Sequence, residues 1–274
     1  APIYAGAVTD QAEVDKIVLA VARQHDAQLL PWLDGPPQTN EAGRSAGLMA
    51  GLLWLAARLG QKLATQLELL EIGASAGANT MLDCFAFDLG GVRAGPPDSP
   101  ILIRPEWRGP PPPASDVQIV SIKGCDQAPV DLTDPAQALR LTSYCWPENH
   151  DRLDRLARIV AMANERKPDL VKADAADWVE ARLADPQAAG VMRVLFHSIV
   201  WQYIPAAGQA RIEAAMAEAA ARADAARPLA WLMLETNRQT YRHELRVRYW
   251  PGGGEDWHLL GSAHAHGAWM EWQA

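Results

Sequence analysis

The chain has 274 residues, 49% hydrophobic and 21% charged, with 25 Lys and Arg against 33 Asp and Glu. That is enough apolar material for one large core or two small ones, and it excludes a disordered, collagenous or disulfide-stapled chain. The net charge of −8 argues against a nucleic-acid partner, because tracking phosphates needs a basic face.

In chain order, Asp10 to about Trp32 carries Val14, Ile17, Val18, Val21 and Leu29 at helical spacing, and Asp34-Gly35-Pro36-Pro37 breaks the pattern. Thr39 is the expected N-cap of a second helix running to Leu59, with Gly60 placed to stop it. This helix contains the longest apolar run, Ala46–Ala57. Its 12 residues fall short of the ~18–20 that span a bilayer. The rhythm then changes to alternating strands and helices. Leu67–Ile72 stops at Gly73 and a helix is expected over Ala78–Phe87. Ile101–Arg104 and Val117–Ile122 read as strands around the loop Gly109–Pro113, and Pro147 opens a helix carrying Leu153, Leu156 and Val160. Leu170–Lys172, Val191–Val200 and Leu229–Leu234 read as buried strands, the last two separated by a helix from about Ala206 to Ala226. The tail, His243–Trp250, Trp257–Leu260 and Ala268–Trp272, reads as an antiparallel ending.

This alternation predicts an α/β fold with a doubly wound, mostly parallel Rossmann-like sheet and a C-terminal antiparallel hairpin. Residues 1–60 form an N-terminal helical segment. Residues 61–274 form the α/β domain, with an inserted hairpin near 100–115. In such sheets ligands bind at the carboxyl ends of the strands. Cys84, Cys125 and Cys145 are odd in number and form no C-x-x-C pair, as in a reducing compartment. With no signal segment at the start, the expectation is a cytoplasmic protein with a small-molecule substrate, no membrane partner and no metal. The start at Ala1 rather than Met is expected to reflect truncation.

The most informative stretch is Glu71-Ile72-Gly73-Ala74-Ser75-Ala76-Gly77-Ala78-Asn79. A strand ending in an acid, then glycines, then a helical start, is a nucleotide-binding turn in physical terms. Glycine permits the bend and the close approach of a ligand, and a helix N-terminus offers free N–H groups. The dinucleotide pattern G-x-G-x-x-G fails at Ser75 and Ala78, and no phosphate-loop lysine follows. The hydrolase elbow G-x-S-x-G matches at Ser75, with Glu235 and then His264 or His266 as triad partners, but on the first strand rather than in mid-sheet. A ligand-free turn is the plain alternative.

Glu-x-Gly-x-x-x-Gly on a first strand resembles motif I of class I S-adenosylmethionine-dependent methyltransferases, with Ser75 replacing the usual middle glycine. The resemblance implies that Glu71, Gly73, Ser75 and Gly77 hold S-adenosylmethionine. Asp126, in Gly124–Pro129, then resembles the second-strand acid on the ribose, although it lies 49 positions beyond Gly77 and Glu106 is a rival. Asp174 and Ala175 resemble the segment beside the adenine, and Phe196–Pro205 the fourth-strand segment of many small-molecule methyltransferases. The expected sheet is then of the seven-stranded class I methyltransferase type. More narrowly, Pro37-Gln38-Thr39-Asn40-Glu41-x-x-Arg44, the Glu71–Asn79 turn, Trp107-Arg108-Gly109, Trp146-Pro147-Glu148, His197-Ser198-x-x-Trp201-Gln202-Tyr203 and Ala265-His266-Gly267 together resemble the bacterial domain of unknown function 2332 family. That resemblance implies a methyltransferase-like fold and names no activity.

Asn40, Glu41 and Arg44 read either as helix capping or as a cover over the cofactor in which Arg44 meets a carboxylate. His197, ending a buried strand, reads as a general base or as a hydrogen-bonded core histidine. Trp201 and Tyr203 are placed to stack on adenine or on a sulfonium, or to pack the core. His264 and His266, alternating along an expected strand, share a face. There they line a substrate pocket, join Glu235 in a metal trio, or lie on the surface. The expected function is methyl transfer to a small or medium-sized acceptor. The alternatives are an inactive methyltransferase-like fold binding a nucleoside or protein partner, and the Ser75 hydrolase.

Overall fold

The computed structural model describes residues 2–34, 38–59 and 66–274. The expected breaker at Gly35–Pro37 and the stop at Gly60 lie outside the described residues. The first expected helix is divided at His25 into α1 (Gln11–Gln24) and α2 (Asp26–Leu29), followed by a 3-10 turn at Leu30–Asp34. Asp10 caps α1 by accepting from the Glu13 N–H, yet α1 buries no residue. By contrast α3 (Ser45–Leu59) is buried along almost its whole length. Its cap is not Thr39: the Glu41 carboxylate accepts from the Gly43 N–H at 3.0 Å, leading into a 3-10 turn over Ala42–Arg44.

Twelve strands follow among the described residues. β1 (Gln66–Ile72) leads through a 3-10 turn at Asn79–Cys84 into β2 (Ala86–Leu89), then β3 (Val92–Ala94), β4 (Leu102–Ile103), β5 (Glu106–Arg108) and β6 (Gln118–Asp126). After α4 (Pro135–Ser143) and α5 (His150–Glu165) come β7 (Leu170–Lys172), α6 (Ala175–Ala184), β8 (Val191–Ser198), α7 (Ala206–Arg222) and β9 (Leu229–Thr236). The chain ends with β10 (His243–Trp250), β11 (His258–Ala263) and β12 (Trp269–Trp272).

The main sheet has nine strands rather than seven, in the order β5-β12-β11-β10-β9-β8-β1-β6-β7. The block β7-β6-β1-β8-β9 is parallel throughout. Winding runs from β1 outward to β6 and β7 on one side and through β8 to β9 on the other, so the reversal falls beside β1. That is the place where an open α/β sheet leaves a crevice. β10, β11 and β12, at the three expected tail segments, continue as an antiparallel meander.

The expected hairpin near 100–115 does not form. β4 pairs with β2 in a separate three-stranded sheet, β3-β2-β4. β5 crosses to the far edge of the main sheet and pairs in parallel with β12. Pro105 separates the two strands, and the edge position tolerates it. Trp107 on β5 then packs against Trp272 with ring centroids 6.0 Å apart. The helix expected over Ala78–Phe87 also gives way to strand, because the Ala86 N–H is drawn to the Ile101 carbonyl of the small sheet.

The central parallel strands β1, β8 and β9 are covered on both faces, whereas β7, expected to be buried, is a largely exposed edge strand. Leu69, Val194 and Leu232 point toward Leu48, Leu52 and Leu53 of α3, while Leu70, Leu195 and Trp231 point toward Ile212 and Met216 of α7. Burial on two faces explains why these strands read as continuous apolar runs. Among the described residues no helix is long and apolar enough to cross a membrane.

Candidate functional site

The β1 turn is bent by residues in left-handed backbone conformations: Gly73 (φ 67°), Ser75 (φ 54°) and Gly77 (φ 78°). A Cβ on Gly73 would lie 2.2 Å from the Val200 side chain, and one on Gly77 2.8 Å from Pro168. Both positions therefore demand glycine for space as well as conformation. Two side chains brace the turn. Asn40 donates to the Ala74 carbonyl and accepts from the Ala78 N–H, both at 3.0 Å. Asp126, ending β6, accepts from the Ser75 N–H at 2.9 Å and from the Ala128 N–H at 2.8 Å.

Above this turn lies a cavity of about 340 Å3, at the carboxyl ends of β1, β6, β7 and β8. Gly73, Ser75 and Asn79 form its inner wall, with Thr39, Asn40 and Arg44 from the approach to α3. Asp126, Ala173, Asp174 and Ala175 form one side and Ser198–Val200 the other, with Tyr203 at an exposed rim. Asp174 caps α6, one of its oxygens accepting from the Ala176 and Asp177 N–H groups.

The inner end is electrostatically incomplete. Arg44 is 8% exposed and donates to the Ala265 carbonyl at 2.8 Å, the Thr39 hydroxyl at 3.1 Å and the Ser198 carbonyl at 3.4 Å. Among the described residues no carboxylate pairs with it. Burial pushes its pKa down, against the opposing pull of Glu41, Glu235 and Glu71. Glu71 is 1% exposed, and burial pushes its carboxyl pKa up to about 8 despite a hydrogen bond from Asn79 at 3.4 Å. Glu71 Oε2, Ser75 Oγ and Asn79 Oδ1 are buried with no hydrogen-bond partner. A buried cation without an anion, beside buried oxygens without donors, is a costly arrangement for an isolated protein. It suits a ligand carrying a carboxylate and an ammonium group together.

Several expected site residues lie elsewhere. Glu41 does not line this cavity. Besides capping, it pairs with Arg152 at 2.5 Å and Arg155 at 2.9 Å, tying α5 to the start of α3. His197 is fully buried and outside the lining. Its Nδ1 meets Glu235 Oε1 at 2.7 Å and its Nε2 accepts from the Trp231 indole at 3.0 Å. That network assigns the proton to Nδ1 and leaves no lone pair for a substrate. His197 is therefore corrected from general base to positioning residue. The Glu235 oxygen it holds also accepts from the Val200 and Trp201 N–H groups at 3.0 and 3.2 Å, which sets the loop lining the cavity. Trp201 stacks on His197 at 5.3 Å and borders a different cavity.

His264 and His266 do not alternate along a strand, since both fall in the turn between β11 and β12. His266 lies outside the lining, and burial, reinforced by Arg152 and Arg44, pushes its pKa down to about 4. Among the described residues no group of three His, Cys, Asp or Glu is placed to hold a metal ion. Ser75 Oγ has no partner, so nothing activates it as a nucleophile. Glu106 is exposed at the opposite edge of the sheet and pairs with Arg108 at 2.9 Å. Asp126 lies on the cavity wall. The sequence reading gave Thr39 only a capping role and gave Asn79 and Ser198 none. Asn79 was visible two positions beyond Gly77, but its meeting with Glu71 depends on the fold of the turn.

The model of one family, described as an uncharacterized protein conserved in bacteria (DUF2332), matches residues 1–272, and the chain belongs to that family. No curated protein and no solved structure matches it.

Proposed function

We propose that this bacterial protein binds S-adenosylmethionine in the cavity above the Gly73–Gly77 turn and transfers its methyl group to a small or medium-sized acceptor. The observation that carries the reading is the incomplete inner end. The Arg44 guanidinium is suited to the carboxylate of the methionine moiety, and Asn79 Oδ1, with Glu71 behind it, to the ammonium. At the other wall Asp126 and Asp174 remain as acceptors for ribose hydroxyls and for the nucleoside end, with Ala175 beside them and Tyr203 at the rim. The parallel block wound both ways from β1 resembles the class I methyltransferase arrangement. The chain departs from that type where Ser75 and Ala173 replace glycines and where β10–β12 form a meander.

When bound, the sulfonium supplies an already activated methyl group, so the protein has only to orient the acceptor and exclude water. Arg44 and Asp126 hold the two ends, while the Ser198–Val200 segment, fixed by Glu235, closes one side. No proton transfer is asked of His197. Isothermal calorimetry with S-adenosylmethionine and S-adenosylhomocysteine tests the reading. Saturable binding is expected, weakened about ten- to a hundredfold in Asp126→Ala, the scale for losing a charged hydrogen-bond partner. Absence of heat with either ligand at millimolar concentration overturns it in favour of a non-catalytic partner-binding role.

A further inference from the structure

A second cavity, of about 430 Å3, lies at the later half of β9 and the start of β10, beside α7. Its walls carry three tryptophans, three carboxylates and two arginines. Trp201 and Trp231 meet edge-to-face with centroids 5.5 Å apart, and Trp231 meets Trp257 in the same manner at 5.2 Å. Trp231 thus meets each of its two neighbours edge-on, and all three rings line the cavity. Glu235 and Glu244 are register partners across β9 and β10, both at least 90% buried. Like charges directly opposite one another on a sheet face destabilise it.

The two carboxylates are treated differently. Glu244 is compensated by Arg246, by the Asn237 amide at 2.9 Å and by the Thr240 hydroxyl at 3.2 Å. Glu235 has one oxygen saturated by His197, Val200 N–H and Trp201 N–H, none of them a cation in this network. Its other oxygen has no hydrogen-bond partner among the described residues, and the side chain borders the cavity. The remaining charged groups at the cavity, Glu213 of α7 and Arg238 of the turn after β9, are exposed at the rim. Arg248 covers one face of Trp257 at 4.6 Å, which shows that this ring already accepts a cation.

We infer that this second cavity is a binding site for a small alkylammonium cation, held by the tryptophan rings and by the free oxygen of Glu235. Ring faces attract a desolvated cation electrostatically, and a carboxylate whose other oxygen is anchored gives the charge a fixed position. Among the described residues the carboxylates here form no group placed to hold a metal ion, and the aromatic walls suit an organic cation instead. The assignment is independent of cofactor binding in the first cavity.

Choline chloride titrated at constant ionic strength, with sodium chloride as balance, tests it by calorimetry and tryptophan fluorescence. The neutral isostere 3,3-dimethylbutan-1-ol serves as the control. Saturable choline binding is expected, with the isostere about tenfold weaker or absent. Glu235→Gln and Trp257→Ala are each expected to weaken choline by about tenfold. Trp257 is only partly buried, so its variant keeps the comparison valid if Glu235→Gln disturbs the His197 network. No saturation by choline, equal binding of the isostere, or unchanged affinity in a folded Trp257→Ala variant overturns the assignment.

Discussion

The inner wall of the first cavity and the His197–Glu235 network are both buried, polar and set at the ends of adjoining strands, yet they are completed differently. Around His197 both ring nitrogens are satisfied, and the Glu235 oxygen it meets takes two further N–H groups. Around Arg44 a guanidinium meets only carbonyls and a hydroxyl, while three nearby oxygens meet nothing. A closed polar network in a low-dielectric interior rigidifies what it touches, whereas an open one is costly until something fills it. On the proposed function, the histidine belongs to the scaffold and the arginine to the ligand.

The strongest way to break that contrast is at His197. His197→Ala leaves the Glu235 carboxylate and the Trp231 N–H without their buried partner and opens a void. It is expected to destabilise the fold by about 2–4 kcal/mol, read by urea denaturation. A variant as stable as the parent that had lost methyl transfer would instead make His197 catalytic. Arg44→Ala tests the other side: affinity for S-adenosylhomocysteine is expected to fall about ten- to a hundredfold, while Arg44→Lys recovers only part of it. Equal affinity across all three proteins would remove the arginine from the site.

Glu71 sharpens the contrast through pH. Its carboxyl pKa is raised from 4.5 to about 8, so over that window the folded state holds the proton that the unfolded state has released. Its contribution to stability is complete below pH 4.5 and is lost as pH rises toward 8, at about 1.4 kcal/mol per pH unit. Glu71→Gln removes that slope. Denaturation at pH 5 and pH 8 should show the variant gaining on the parent as pH rises, and parallel profiles would refute the burial argument. The smallest effect is expected from Glu106→Ala. Exposed and paired only with Arg108 at the far edge, it should leave both stability and cofactor affinity unchanged. A loss of affinity there would put the ribose ligand at Glu106 instead of Asp126.

The α/β class, the order of the central elements and the glycine turn were legible in the chain because each rests on local chemistry. Strands buried on two faces must be apolar throughout, which is why the strands at Val191–Ser198 and Leu229–Thr236 were read to within two residues of their bounds. Gly73 and Gly77 mark conformations and clearances that other residues meet badly. The same logic overreached where a local pattern was outbid by distant partners. Pairing with β4 turned the end of the expected Ala78–Phe87 helix into strand, and Glu41 took the cap expected of Thr39. The exposed apolar residues of α1 show the reverse, a helical stripe that nothing among the described residues buries.

By itself, then, the sequence determined most of the strands and helices of the main sheet, where the chain must turn tightly, and that a crevice belongs after β1. Only the tertiary structure decided the roles of the polar residues. His197 pairs with Met233 across β8 and β9, and that register brings Glu235, two positions farther along the same face, within 2.7 Å of its ring. Register likewise carried Glu106 to the far edge, left Asp126 on the cavity wall and set Glu235 opposite Glu244. Side-chain type and spacing fix what a residue is able to do. The partner that claims it comes from strand pairing between segments far apart in the chain, which no local pattern encodes.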